Sequence, residues 1–370
     1  MILSELLLDN FRNFANAKIN FGEGINIITG MNGQGKTSIL ESIYYLSLTK
    51  SFKAINDYTV IKEAKNSCNI NGEFIADSVE KETIRLYLSR IDGKHLFLNG
   101  KEILKFSEII GKVPCVILTL DDIKLIYGGP SERRKFLDIL LSQTSPVYLN
   151  DLKNYRQVIR QRNSLLLYDD LSLIKKQIDG WNKQIIDFGS RIIKKRIEFV
   201  DFLNKNLSAY YSSIAHKEEG ISVEYRSSLL LHSISKSLED IQKIFKIKLT
   251  ELFHYELERK MTLAGPHRDD LIFLHNSRLF KEYCSQGENK TLIIALKLLE
   301  WDYIAKYNTI KPLLLLDDIF GELDRLRMEG LLKFITNIGQ AFITTTLDEK
   351  FSFFKKVKKI KLENYNIYYA

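Results

Sequence analysis

INIITGMNGQGKTSILESIYYLSL, residues 25–48, decides the fold. A short apolar run ends at Gly30, a glycine-rich turn follows, and from Lys36 onward Ile39, Leu40, Ile43 and Leu46 recur near helical spacing. A strand, a tight turn and a helix in that order place Gly30, Gly35, Lys36 and Thr37 in the pattern G-x-x-x-x-G-K-[ST]. The glycines let backbone N–H groups wrap phosphate oxygens, and the helix N-terminus adds its dipole. Lys36 is then the residue that reaches the β and γ phosphates, and the Thr37 hydroxyl is a magnesium ligand. A glycine turn that merely opens a helix is the plain alternative; the flanking strand and helix favour the nucleotide reading.

A nucleotide loop of this kind needs carboxylates, and the nearest fit lies almost 280 residues away in LLLLDD, residues 313–318. A continuous apolar run is expected of a strand buried on both faces of a parallel sheet. Ligands bind at the carboxyl ends of such strands, which puts Asp317 and Asp318 near the phosphates. Asp317 is the expected magnesium ligand, directly or through water, and Asp318 the group that orients or deprotonates the attacking water. Between the two motifs lies YCSQGENKTL, residues 283–292, where Ser285 and Gly287 precede an amphipathic helix. Taken alone, that is an ordinary N-cap.

Outward from these motifs, ELLLDNF, AKINF and INIIT alternate with turn residues and read as strands of a sheet that is completed by the C-terminal runs PLLLLDD and AFITTT. Residues 83–101 alternate by twos around DGK and NGK, predicting an antiparallel hairpin region after the first helix. From about Pro146 to the 260s the pattern is helical. Ile174, Ile178, Trp181, Ile185, Phe188 and Ile192 form a seam, with Leu149, Leu152, Tyr155 and Ile159 as its expected partner. A short helical hairpin and an amphipathic helix packed on a globular core both satisfy this spacing. Residues 151–205 hold 12 Lys or Arg and 7 Asp or Glu, a local excess of +5. A binding face and a solvated helix surface both account for it.

The 370 residues suffice for one large domain with an insertion, and the formal charge of +8 is compatible with an anionic partner. Cys68, Cys115 and Cys284 are far apart and show no zinc-ligand or disulfide spacing. A cytoplasmic location is expected: MILSELLLDNFRNF carries Glu5 and Asp9 and lacks a basic leader pattern, and no apolar run approaches the ~20 residues of a membrane helix.

The motif order, a phosphate loop, a long insertion, S-x-G before a helix, an acid-terminated strand, GELD and a strand ending in TTT, is that of ATP-binding-cassette ATPases. Within them the chain resembles the RecF family, relatives of the SMC group of chromosome-handling ATPases. The resemblance is carried by LLLDNFRNF (6–14), GMNGQGKTSILESIYYLS (30–47), GGPSERRKFLD (128–138), LAGPHRDDL (263–271), SQGENKT (285–291) and LLLLDDIFGELD. It implies an α/β fold: a P-loop head with a mixed sheet and an antiparallel β subregion, residues 1–145 and 255–370, and an inserted helical arm, 146–254. It also implies a weak ATPase that uses ATP and Mg2+ and forms an ATP-dependent homodimer. Such a dimer binds double-stranded and gapped DNA in recombinational repair and replication restart. It works with RecR/RecO-type mediators and indirectly with the RecA recombinase, in the SOS response and near the nucleoid. The resemblance implies that Gly30, Asn32, Gly33, Gly35, Lys36, Thr37 and Ser38 hold the nucleotide in one subunit, facing Ser285 and Gly287 of the other. It further implies that Arg12 lies near the nucleotide, that Asp324 is the D-loop aspartate, and that Thr345 or a neighbouring threonine senses the γ-phosphate in place of the usual histidine. Asp318 stands where many cassette ATPases have glutamate, and Lys290 where this family often has arginine.

Arg133 and Arg134 have two readings, DNA or phosphate contact and structural bracing. His267 beside Arg268, Asp269 and Asp270 invites a metal site, but the resemblance makes it part of a structural turn. A transporter's ATP-binding subunit fits the basic insertion and the missing switch histidine poorly. A nuclease would need a further acidic cluster, and a long-armed SMC protein would need a longer chain.

Overall fold

Continuous apolar runs and alternating ones build different sheets. Strands β3 (Ile25–Thr29), β8 (Cys115–Leu118), β12 (Leu313–Asp317) and β13 (Ala341–Thr345) are buried along nearly their whole length. With β14 (Val357–Glu363) and β15 (Asn366–Tyr369) they form a sheet of order β15-β14-β3-β13-β12-β8, parallel except for the β14–β15 hairpin. β1 (Ile2–Phe11), β2 (Phe14–Asn20), β4 (Ser67–Ile75), β5 (Lys81–Ser89), β6 (Gly93–Leu98) and β7 (Lys101–Glu102) form a second, antiparallel sheet of order β2-β1-β4-β5-β6-β7. The expected hairpin region is present as β5–β7. The N-terminal strands divide, however: β3 is completed by C-terminal strands, whereas β1 and β2 pair in the antiparallel sheet. Alternating burial on β4, one face in and one out, marks that second sheet.

The structure, a computed structural model, describes residues 1–75, 81–217, 219–229, 237–336, 338–346 and 357–369. Most of the lysine-rich stretch 350–361 lies outside them. Packing groups the chain into two units: Met1–Asp122 with Ser213–His216 and Lys290–Ala370, and Ile123–Ser212 with Lys217–Asn289.

In the first unit, helix α1 (Lys36–Leu48) touches β4 and β5 of one sheet and β8, β12 and β13 of the other. Lying between two sheets, it is buried on all sides, which explains Ile39, Leu40, Ile43, Tyr45 and Leu46 at or near zero exposure. It starts directly after β3, so the turn between them is held at both ends.

The second unit begins with α2 (Lys124–Tyr127), α3 (Pro130–Thr144) and α4 (Pro146–Leu166). Then come the long α5 (Leu171–Ala215), β9 (Ile221–Arg226), α6 (Leu238–Arg259), β10 (Asp270–His275), β11 (Arg278–Leu279), α7 (Phe280–Tyr283) and the first residues of α8 (Gln286–Tyr307). β11, β10 and β9 form a three-stranded antiparallel sheet. Ile174, Ile178, Ile185 and Ile192 of the expected seam are buried, as are Leu152 and Tyr155 opposite. The cluster is not a two-helix hairpin: Leu165, Leu166, Ile174 and Ile178 also pack against Phe253 and Leu257 of α6. Residues 123–145 belong to this unit because Arg133 of α3 is bonded to Asp270 of β10, at 2.7 Å. The unit borders therefore fall at 122/123 and 289/290, while the expected head and arm meet at 145/146 and 254/255.

Candidate nucleotide site

β13 lies between β3 and β12, so the phosphate loop, the threonines ending β13 and the acids ending β12 emerge side by side. Gly30 (φ 151°) and Gly35 (φ 93°) take backbone conformations that favour glycine. A Cβ on Gly30 would sit 2.7 Å from the Leu362 carbonyl oxygen, and one on Gly35 would sit 2.8 Å from the Phe14 ring. Gly35 is also the N-cap of α1 and supplies no side-chain cap, which leaves the helix N-terminus for an anion. Asn32 and Gly33 are exposed at the tip of the loop, and Ser38 is half-buried.

The Lys36 ammonium folds back onto the loop, donating to Gly30 O at 2.6 Å and Met31 O at 3.1 Å. Burial lowers its pKa from the ordinary 10.5, and the fields of Asp318 and Asp317 partly oppose this. The Thr37 hydroxyl donates to Asp317 Oδ1 at 2.9 Å, closing the 280-residue gap. Thr344 Oγ1 donates to the same oxygen at 2.8 Å, and Asp318 N–H donates back to Thr344 Oγ1 at 2.9 Å. Burial raises the Asp317 carboxyl above its usual range, while the hydrogen bonds from Thr344 and Thr37 and the charge of Lys53 hold it down. Asp318 sits at φ 51°, a left-handed conformation rare for a non-glycine residue. Thr345 is fully buried at the end of β13.

A hydroxyl oxygen beside a half-buried carboxylate suits Mg2+, a hard cation that takes few protein oxygens and keeps several waters. Thr37 and Asp317 therefore fit the expected ion. Among the described residues no group of three or more His, Cys, Asp or Glu could hold a metal.

Arg12 is not a free cation. Its Nε and Nη2 bond both carboxylate oxygens of the buried Glu41, at 2.8 and 2.6 Å, and Nη1 reaches Thr59 O at 3.1 Å. Asp324 caps α9 (Arg325–Ile335) by accepting from Arg327 N–H at 3.0 Å. Arg327 Nε also donates to Thr291 at 2.7 Å, and Lys290 Nζ to the Glu322 carbonyl and carboxylate at 2.9 and 3.0 Å.

Ser285 and Gly287 belong to the second unit. Ser285 Oγ accepts Glu288 N–H at 3.3 Å while Glu288 Oε2 accepts Ser285 N–H at 2.7 Å, a reciprocal capping box on an exposed serine. Arg133 is spent within the fold on Asp270 and the carbonyls of Leu125 and Gly128, and Arg134 donates to Asp269 O. These bonds match the bracing reading.

His267 is a structural group. Tyr155 OH lies 2.7 Å from Nδ1 and Thr262 O 3.2 Å from Nε2, and burial pushes its pKa down to about 4. Between pH 6.5 and that value the unfolded chain takes up a proton that the folded one refuses, so stability is full above 6.5 and falls on acidification. The expected loss is up to about 3 kcal/mol, at 1.36 kcal/mol per pKa unit. Denaturant midpoints measured from pH 7.5 to 4 should show this component vanish in His267→Gln.

Sequence reading missed Glu41 and Lys53, which carried no signal, and left Thr344 as one of three candidate threonines at a strand end that faces the acids.

A P-loop at the end of one parallel strand, acids at the end of another, and an antiparallel sheet across the P-loop helix define the head of an ATP-binding-cassette-type ATPase. The family model described as the RecF/RecN/SMC N terminal domain matches residues 2–367. The chain is 38% identical over 355 residues to the DNA replication and repair protein RecF of Chloroherpeton thalassium, covering 95% of this chain and 96% of that one. It is 36% identical over 371 residues to RecF of Streptococcus gordonii, covering 99% and 100%. A solved structure of the recombination mediator protein RecF-ATP in the RecFOR pathway superposes with a TM-score of 0.90 at 30% identity, over 100% of this chain and 97% of that one. An Smc head bound to the C-winged helix domain of ScpA, at TM-score 0.57 and 16% identity, shares the fold. The chain belongs to the RecF family of DNA replication and repair proteins. No helix among the described residues is long and apolar enough to cross a membrane.

Proposed function

We propose that the chain is an ATP-switched DNA-binding protein of recombinational repair and replication restart, acting as a dimer. The observation that carries this reading is the convergence of Lys36, Thr37, Asp317 and Asp318 at an uncapped helix N-terminus. In the head, residues 1–145 and 255–370, the N–H groups of the loop and the charge of Lys36 bind the β and γ phosphates of ATP. Thr37 and Asp317 would hold Mg2+, which supplies charge neutralisation across the phosphates. Asp318 orients the attacking water, and its short side chain makes hydrolysis slow. Thr345 stands where a γ-phosphate sensor belongs, and Arg12, held by its bond to Glu41, lies near the nucleotide.

The second anion site comes from another copy of the chain. Its Ser285 hydroxyl, Gly287 backbone and α8 N-terminus meet the γ-phosphate, and Asp324 is the D-loop aspartate that faces the partner subunit. ATP then holds two heads together, and hydrolysis releases them by removing the shared ligand. DNA, double-stranded or gapped, is held at its phosphates by lysines and arginines of the heads and of the arm, 146–254. Arg133 and Arg134 contribute there by bracing. Mediators of the RecR/RecO type would couple this dimer, near the nucleoid, to recombinase loading on single strands.

Oligomeric mass and binding to a fluorescent gapped duplex, with and without ATP and magnesium, test the reading in wild type, Lys36→Met and Ser285→Arg. Mass should double and DNA should bind only with ATP, and both variants should lose both properties. Affinity should fall about 10²-fold between ~50 and ~200 mM salt if on the order of four phosphates are contacted. A protein that stays monomeric with nucleotide, or that binds DNA without regard to it, would overturn the proposal.

A further inference from the structure

We infer that the side chain of Thr344 is the positioning group for both acids of the site, an inference that rests on the nucleotide-site reading above. Thr344 is fully buried, and its hydroxyl has one proton to give. Asp317 Oδ1 lies 2.8 Å away and the Leu316 carbonyl 3.4 Å away, so the proton goes to the carboxylate. The hydroxyl oxygen in turn accepts the Asp318 N–H at 2.9 Å. One side chain thus fixes the carboxylate of the first acid and the backbone of the second.

The second contact answers a specific need. Asp318 at φ 51° is in a conformation that costs a non-glycine residue roughly 1–2 kcal/mol. A side-chain acceptor for its N–H, together with the Thr344 carbonyl at 3.2 Å, holds the residue there. The first contact sets how Asp317 faces the ion. Thr37 and Thr344 both donate to Oδ1, which pins the carboxylate's rotation and leaves the lone pairs of Thr37 for a cation. A strand whose preceding residues, Ala341, Phe342 and Ile343, are all apolar would accept valine at position 344 on packing grounds. The hydroxyl is the part that packing does not require.

Thr344→Val keeps the shape and removes the hydroxyl, whereas Thr344→Ser keeps it. The serine variant should retain single-turnover ATP hydrolysis within about threefold of wild type. The valine variant should lose about 10²-fold in rate, the usual effect of deleting one preorganised polar contact to the reacting groups. Its affinity for ATP without magnesium, read from a fluorescent analogue, should stay within about threefold, while the magnesium concentration needed for half-maximal tightening should rise about tenfold. Thr344→Ala repeats the test if valine impairs folding, and the same split is expected. Normal hydrolysis and normal magnesium dependence in the hydroxyl-free variants would overturn the inference. Equal loss of magnesium-free ATP binding would also overturn it, because that is the mark of a merely structural residue. Lys36→Met separates this failure from failure of the site itself: a Lys36→Met protein that hydrolyses ATP normally would place the chemistry elsewhere.

Discussion

Lys36→Met lowers ATP turnover by about 10²–10³-fold, the range for losing a charged clamp on a transferring phosphoryl group, yet hardly alters the stability of the free chain. The two expectations have one physical cause. In the free chain the ammonium is nearly buried and its hydrogen bonds go to two carbonyls, Gly30 and Met31, rather than to a carboxylate. Burial disfavours its charge, and the fields of Asp318 and Asp317 offset part of that penalty. Methionine of similar length loses two hydrogen bonds worth about 1 kcal/mol each and escapes most of the desolvation. The net change should lie within about 1 kcal/mol. With ATP bound the balance reverses, since the triphosphate supplies the negative charge the lysine lacks. Thermal melts should show ATP raising the midpoint of wild type, by mass action on the folded state, and not that of the variant. Phosphate release gives the rate. A variant that still turns over at the wild-type rate would show that Lys36 does not touch the transferred group.

Much of this site was legible because its chemistry requires residue types that are rare in combination. The glycines of the loop are dictated by backbone geometry, Gly30 against the Leu362 carbonyl and Gly35 against Phe14, and such constraints leave a pattern in sequence. Burial on both faces made LLLL readable as a central strand. The sheet order was less legible. β1 looked like a companion of β3, and only its antiparallel register with β4 assigns it to the other sheet. Arg12 shows a different limit: the family resemblance placed it near the nucleotide, but the carboxylate that orients it, Glu41, sits inside a helix with nothing in the sequence to link the two. Thr344 was hidden among three threonines because its role depends on which face of β13 points to β12. The stripe of α6 was obscured by Glu256, a charge in line with Ile241, Phe245, Leu249 and Phe253. That carboxylate faces inward.

Arg162→Met should be the most destabilising single change in the second unit. Arg162 and Glu256 are both fully buried, and their side chains meet at 2.6 Å. The guanidinium also donates to Thr262 at 2.8 Å and to Asn182 at 3.0 Å, while the other oxygen of Glu256 accepts Leu263 N–H at 2.8 Å. One ion pair therefore ties α4, α5, α6 and the turn after α6. Removing the arginine leaves a carboxylate in the core with one backbone donor, and breaking a buried pair from one side costs about 3–5 kcal/mol. Two oppositely charged groups of this kind owe little of that figure to mutual attraction beyond their desolvation. The double variant Arg162→Met with Glu256→Leu should consequently regain most of the loss, ending within about 2 kcal/mol of wild type. The chain has two tryptophans, and Trp181 packs against the α4–α5–α6 cluster, so urea unfolding followed by fluorescence in a Trp301→Phe background reports this unit. If the single variant is as stable as the double, the pair carries no buried charge penalty. If the double is the less stable, the attraction itself, together with the bonds to Thr262 and Asn182, holds the three helices together.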